Sequence, residues 1–127
     1  MTTAQLLIDE LRARHQTIAF CESLTAGLAS ATLADVPGAS DALVGGLVTY
    51  SPELKTALAD VPADLIESEG VVSAAVAREM ARGARRVCGA DWAVALTGVA
   101  GPDAQDDVPA GTVWIGLGGA EGAAPAP

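Results

Sequence analysis

Ser23 carries the hydroxyl best placed for nucleophilic chemistry. It follows the β-rich run Thr17-Ile18-Ala19-Phe20-Cys21 and precedes a helical pattern starting at Ala26. A strand-to-helix junction offers unpaired N–H groups and a partial positive charge, which stabilise an oxyanion. The same position also suits Ser23 and Thr25 as plain helix caps. A nucleophilic serine needs a base. His15, the only histidine, ends the first helix beside Arg14, where helix carbonyls are its natural partners. Lys55 is the only lysine in a chain that otherwise uses arginine. Arginine stays protonated, whereas a desolvated lysine can act as a base. A single lysine left on the surface is the plainer alternative. Tyr50, the only tyrosine, lies just before Lys55, and an intervening turn would bring its hydroxyl to the amine as a proton relay. A strand-edge tyrosine with its hydroxyl in water is again the plainer alternative.

A second feature is Thr97-Gly98-Val99-Ala100-Gly101-Pro102, which follows the apolar run Trp92–Leu96. Glycines let backbone N–H groups approach an anion. The run lacks the Gly-Lys-Ser/Thr ending of a phosphate-binding P-loop, and a plain turn also explains it. Asp103, Asp106 and Asp107 follow at a spacing that matches no calcium-binding loop, so they read as a solvated acidic loop.

The elements that must position these residues alternate between helix and strand. Thr2 and Gln5 form a capping-box pattern ahead of a helix to Arg14. The order continues with a strand over 17–21, a helix over 26–34 and a loop over 36–40. A strand over 47–50 follows, then a helix opened by Ser51-Pro52 and carrying Lys55. A short helical turn covers 62–69, and a long helix runs from Ala74 to Val87 with Gly89 as its stop. The buried strand 92–96, the loop 97–109 and a strand over 111–117 complete the pattern. This alternation predicts an α/β layered fold. The Gly/Ala/Pro stretch 118–127 has no periodicity and reads as a disordered tail.

Composition excludes several classes. The chain has 127 residues, within the range of one domain, and a formal net charge of −9 with no basic run. That is a poor basis for nucleic-acid binding. One histidine with two distant cysteines builds no Cys/His metal site or redox motif. No uncharged apolar run approaches the roughly 18 residues of a membrane span, and the N-terminus resembles no targeting peptide. The expectation is a cytoplasmic protein.

Several short motifs occur in order: Glu22-Ser23-Leu24-Thr25-Ala26-Gly27, Pro37-Gly38-Ala39-Ser40, Gly45-Gly46-Leu47-Val48-Thr49-Tyr50-Ser51 with Lys55, Gly70-Val71-Val72-Ser73, Thr97–Pro102 and Gly111-Thr112-Val113. Together they resemble the CinA C-terminal domain family, which includes PncC-type nicotinamide-nucleotide amidohydrolases. The resemblance implies a three-layer α/β/α sandwich around a mixed sheet over 1–117. It implies hydrolysis of the carboxamide of nicotinamide mononucleotide, within pyridine-nucleotide salvage, with no metal or organic cofactor and as a homodimer. Ser23 would be the nucleophile, with Lys55 and Tyr50 as base and relay. Glu22, Thr25, Gly27, Thr97, Gly98 and Gly101 would contact the substrate. The family pattern continues past residue 117 with another strand and an arginine-bearing helix, so this chain is expected to lack both. Ala26 stands where the family often has glycine. A non-catalytic nucleotide-binding domain is the alternative to the enzyme.

Overall fold

Thr2 opens the first helix, α1 (Thr3–Arg14), by accepting the Gln5 N–H at 3.1 Å. The reciprocal half of the expected capping box does not form. The Gln5 amide instead donates to Asp9 and to the Pro37 carbonyl, tying α1 to the 37–40 loop. The computed structural model describes residues 1–119 and the backbone of residues 122–126. After α1 come β1 (Ile18–Glu22), α2 (Leu28–Ala34), a 3-10 turn (Ala39–Asp41), β2 (Leu43–Val48), α3 (Pro52–Ala59), α4 (Ala63–Glu69), α5 (Ala74–Cys88), β3 (Trp92–Gly98), β4 (Val113–Gly119) and β5 (Gly122–Ala126).

The strands form one mixed sheet in the order β2-β1-β3-β4-β5. β1 runs parallel to both β2 and β3, while β4 is antiparallel to β3 and β5 antiparallel to β4. Every residue of β1 is buried, Glu22 included, as fits a central strand covered on both faces.

Helices cover the two faces unequally. On one side α5 places Val76, Met80, Ala81 and Ala84 against Cys21, Ala93 and Ala95, with Ala59 of α3 in the same cluster. On the other, Ile8 and Leu11 of α1 and Leu33 of α2 pack on Ile18 and Phe20. The result is the expected three-layer α/β/α sandwich. Small residues set its spacing. A methyl group at Gly83 of α5 would collide with the Ala59 carbonyl of α3, and one at Gly116 of β4 would collide with the Ala77 carbonyl of α5. α5 is therefore pinched between α3 and the sheet, which fixes how deep α3 sits.

Three sequence-based boundaries need correction. β2 starts at Leu43 rather than Leu47, and Gly45-Gly46 lie inside it. A Cβ at Gly46 would meet Ser30 Oγ of α2 at 2.5 Å, so glycine here serves helix–sheet contact, not a turn. α2 starts at Leu28 rather than Ala26, because Ala26 and Gly27 both adopt positive φ (51° and 105°), which the right-handed helix does not admit. The disordered tail over 118–127 is also corrected. Gly118 and Gly119 complete β4, and Gly122–Ala126 pair with it from Gly119↔Gly122 to Ile115↔Ala126. An edge strand templates any neighbour able to extend, whatever its side chains, so the pairing leaves no periodic trace. Residues 120, 121 and 127 of that stretch lie outside the described residues.

The pinch predicts a large local effect. Gly83→Ala should destabilise the fold by about 3 kcal/mol, at the upper end of overpacking costs, in chemical denaturation. A change under 0.5 kcal/mol would show that α3 and α5 can separate freely.

Candidate active site

The parallel strands β2, β1 and β3 end on the same edge of the sheet, and the site is built there. This is where side chains and loops of open α/β sheets converge on ligands. Backbone bonds fix the corner. The Ser23 N–H donates to the Leu96 carbonyl at 2.9 Å, and the Thr49 N–H donates to the Glu22 carbonyl at 2.8 Å. Ser23 is thereby held between the ends of β2 and β3, nearly buried at 6% exposure.

Lys55 reaches Ser23 from α3. Ser51 caps that helix by accepting the Leu54 N–H, and Pro52 supplies its first residue. Lys55 lies one turn in and points into the protein, with no exposed surface. Its Nζ is 2.8 Å from Ser23 Oγ, 2.7 Å from the Thr49 carbonyl oxygen and 3.3 Å from the Tyr50 carbonyl oxygen. These contacts fill the three directions an amine has beyond its own Cε. Among the described residues no carboxylate forms an ion pair with it. Burial pushes the Lys55 amine below its ordinary value near 10.5, although the negative charges available to Cys21 and Glu53 pull the other way. The start of α3 adds a positive field that also disfavours the ammonium.

Glu22 has a different role from the substrate contact expected of it. Its buried carboxylate accepts the Ala29 and Ser30 N–H groups, both at 2.9 Å, and the Ser30 hydroxyl at 2.6 Å. Burial alone would raise its carboxyl. The hydrogen bonds from Ser30 and Ala29, with the Thr25 hydroxyl beside them, outweigh burial and hold it below the ordinary range. Glu22 thus occupies the opening N–H groups of α2. The turn Leu24–Gly27 ahead of α2 is closed by the Ala26 N–H on the Ser23 carbonyl at 3.0 Å. Among the described residues, the N–H groups of Leu24 and Thr25 have no acceptor.

A cleft of about 360 Å³ opens in front of Ser23, between Tyr50 and the 98–105 loop. Gly98 and Gly101 line it, as expected. Thr25, Gly27 and Thr97 do not. The Thr25 hydroxyl is buried on the side of the Glu22 carboxylate, Gly27 supplies the positive φ that starts α2, and Thr97 donates to the Val71 carbonyl at 3.0 Å. The last bond fixes Val71 as a wall of the cleft. Tyr50 corrects a further expectation. Its side chain is 64% exposed, and it holds Lys55 through its main-chain carbonyl, not its hydroxyl. The Thr49 carbonyl is an equal partner that sequence reasoning missed, because a backbone acceptor has no residue-type signature. Cys21 was also missed; its thiol lies 3.4 Å from the Thr49 hydroxyl beneath the lysine.

Comparison with known proteins gives a consistent picture. The family model for the CinA C-terminal domain matches residues 1–126. A competence-damage inducible protein of Streptococcus gordonii is 54% identical over 119 residues, covering 94% of this chain. A CinA-like protein of Synechococcus is 46% identical over 120 residues. The chain spans only 28% and 29% of the lengths of these two relatives. Among solved structures, a CinA-superfamily protein of Escherichia coli superposes with a TM-score of 0.94 at 31% identity, over 97% of this chain and 72% of that one. A competence/damage inducible protein of Agrobacterium tumefaciens gives 0.93 at 30% identity, over 97% and 76%.

The buried amine makes stability depend on pH in a defined direction. An unfolded chain protonates Lys55 up to its ordinary value, while the fold releases that proton earlier. The unfolded state therefore binds more protons across the interval between the lowered value and 10.5, and Lys55 adds stability as pH rises through it. Denaturation of the wild-type chain and Lys55→Met should show the wild type gaining on the variant across that interval. A constant difference would mean that the amine stays charged in the fold.

Proposed function

This chain belongs to the CinA C-terminal domain family, and we propose that it hydrolyses the carboxamide of nicotinamide mononucleotide to nicotinate mononucleotide and ammonia. The observation that carries this reading is the 2.8 Å contact between Lys55 Nζ and Ser23 Oγ, made by an amine whose other two partners are carbonyls. Carbonyl oxygens only accept. A neutral amine has two N–H bonds and one lone pair. The ammonium donates to Ser23 Oγ as well as to the two carbonyls; once neutral, with its two hydrogens on Thr49 and Tyr50, Lys55 turns its lone pair to the Ser23 hydroxyl. That is the arrangement a general base requires.

The reaction follows from this geometry. Ser23 Oγ attacks the carboxamide carbon as its proton passes to Lys55. The carbonyl oxygen gains negative charge, and the donor assigned to it is the Leu24 N–H, which has no acceptor among the described residues and belongs to a residue that lines the cleft. Collapse breaks the C–N bond, and the Lys55 ammonium returns its proton to the departing NH2 group, releasing ammonia. Water then attacks the acyl ester with Lys55 again accepting a proton, and Ser23 leaves with its hydroxyl restored. Desolvation serves both halves, because it favours the neutral amine before each attack. Tyr50 has no proton-transfer duty here. Its carbonyl orients the amine and its ring borders the cleft.

Ammonia release from nicotinamide mononucleotide tests the proposal. Ser23→Ala should lower kcat by about 10³-fold or more, in the range seen when a nucleophile is removed. Lys55→Arg should fall as far as Lys55→Ala, since a guanidinium cannot accept the proton. Tyr50→Phe should stay within about tenfold of wild type, because it keeps the carbonyl. The pH profile of kcat/KM should rise with one ionisation centred below the ordinary lysine value near 10.5. Normal turnover by Ser23→Ala would overturn the nucleophile assignment.

A further inference from the structure

Cys21 is a fully buried thiol that the proposed reaction leaves unused. It stands two residues before Ser23, so the alternation of an extended strand turns both side chains to the same face of the sheet. There it packs in the core cluster with Ala59 of α3 and with Val61 just beyond that helix. Burial pushes the thiol above its ordinary value near 9.0, so it is uncharged near neutral pH. Its sulfur is 3.4 Å from the Thr49 hydroxyl, and either atom can donate. Among the described residues this is the only hydrogen bond of that hydroxyl, which is fully buried itself. A buried hydroxyl without a partner is costly, so the sulfur governs the threonine rotamer. The main chain of Thr49 is engaged on both sides. Its N–H donates to the Glu22 carbonyl at 2.8 Å, and its carbonyl accepts from Lys55 Nζ at 2.7 Å. The shorter of the two carbonyl contacts to the amine thus comes from a residue whose β-branched side chain, stiff about its first bond, is anchored on Cys21.

We propose that Cys21 is a positioning residue for the general base: through Thr49 it aims the carbonyl that takes one hydrogen of Lys55, and so fixes where the lone pair points. Its effect on rate rests on the amidohydrolase reading, whereas its effect on the proton affinity of Lys55 does not. A carbonyl holds an ammonium more strongly than a neutral amine. Loosening that carbonyl therefore lowers the proton affinity of Lys55 and blurs the direction of its lone pair. The ionisable groups that act on Lys55 are Cys21 of β1 and Glu53 of α3, and those that act on Cys21 are Lys55, Cys88 of α5 and Glu22 of β1. With the thiol uncharged, the link to the lysine runs through the Thr49 contact and not through a charge.

Three variants test this. Cys21→Ala removes the sulfur, Cys21→Ser keeps a hydrogen-bonding group in its place, and Thr49→Val removes the hydroxyl while keeping the shape. Ammonia release from nicotinamide mononucleotide is followed against pH. Cys21→Ala and Thr49→Val should each lower kcat by roughly tenfold, as expected of a misplaced catalytic group, with KM within about twofold of wild type. Both should move the midpoint of the kcat/KM profile to lower pH. Cys21→Ser should return kcat to within about threefold of wild type and restore the midpoint. The double variant Cys21→Ala/Thr49→Val should be no worse than either single one, because both act through one contact. Multiplying effects, an unmoved midpoint, or Cys21→Ser as impaired as Cys21→Ala would overturn the proposal and leave the amidohydrolase reading intact. A second readout needs no turnover. Chemical denaturation of wild type and of each variant, with and without Lys55→Met, gives the pH interval over which Lys55 adds stability. That interval should open at lower pH in Cys21→Ala and in Thr49→Val, and an interval that stays in place would overturn the proposal. If the wild-type chain releases no ammonia, the amidohydrolase reading falls and denaturation alone decides the role of Cys21.

Discussion

The structure depends on keeping one amine out of water without a counter-ion. Lys55 has no exposed surface and, among the described residues, no carboxylate partner, yet the Thr49 and Tyr50 carbonyls accept its hydrogens. A buried ammonium would need a paired charge to offset desolvation, whereas a neutral amine needs only acceptors for its hydrogens. The fold supplies acceptors and, among the described residues, no paired carboxylate, and burial disfavours the charged form. Everything around the site serves that choice: Ser51 and Pro52 start α3 at the right height, and the contact between Gly83 and Ala59 lets α3 sit deep enough for the side chain to reach Ser23.

The surrounding polar groups are divided between holding the scaffold and facing the cleft. Glu22 and Thr97 look like ligand contacts in the sequence because they flank the reactive motifs. Each is spent inside the fold: Glu22 on the start of α2, and Thr97 on the Val71 carbonyl. The N–H groups of Leu24 and Thr25, in the turn that follows Ser23, have no acceptor among the described residues.

Much of this was legible in the residues. Caps, proline at the start of α3 and the 3.6-residue pattern of α5 placed the helices to within a residue or two. The β-rich run 17–21 marked β1 as a strand, and the apolar run 92–96 marked β3 as a strand inside the sheet, where its residues alternate between buried and half-buried. Failures occurred where the deciding interaction is made by backbone or by a distant element. Gly45-Gly46 was placed ahead of the strand and lies within it, because the second glycine makes room for Ser30. The start of α2 is delayed by Ala26 and Gly27, whose positive φ the helical spacing could not reveal. β5 has no pattern at all, since its pairing with β4 uses only main-chain groups.

Sequence by itself determined the α/β class, the order of elements and the chemical identities of Ser23 and Lys55, since these follow from periodicity, capping and residue type. It also raised the single lysine as a base, on the ground that arginine cannot give up its proton. Tertiary structure alone decided that this lysine is buried and meets Ser23, that Tyr50 contributes a carbonyl rather than a hydroxyl, and that Glu22 faces a helix rather than the cleft. The reason is physical. A side chain's type is local, but its protonation, its exposure and the direction of its lone pair depend on groups far away in the chain. Only folding brings those groups together.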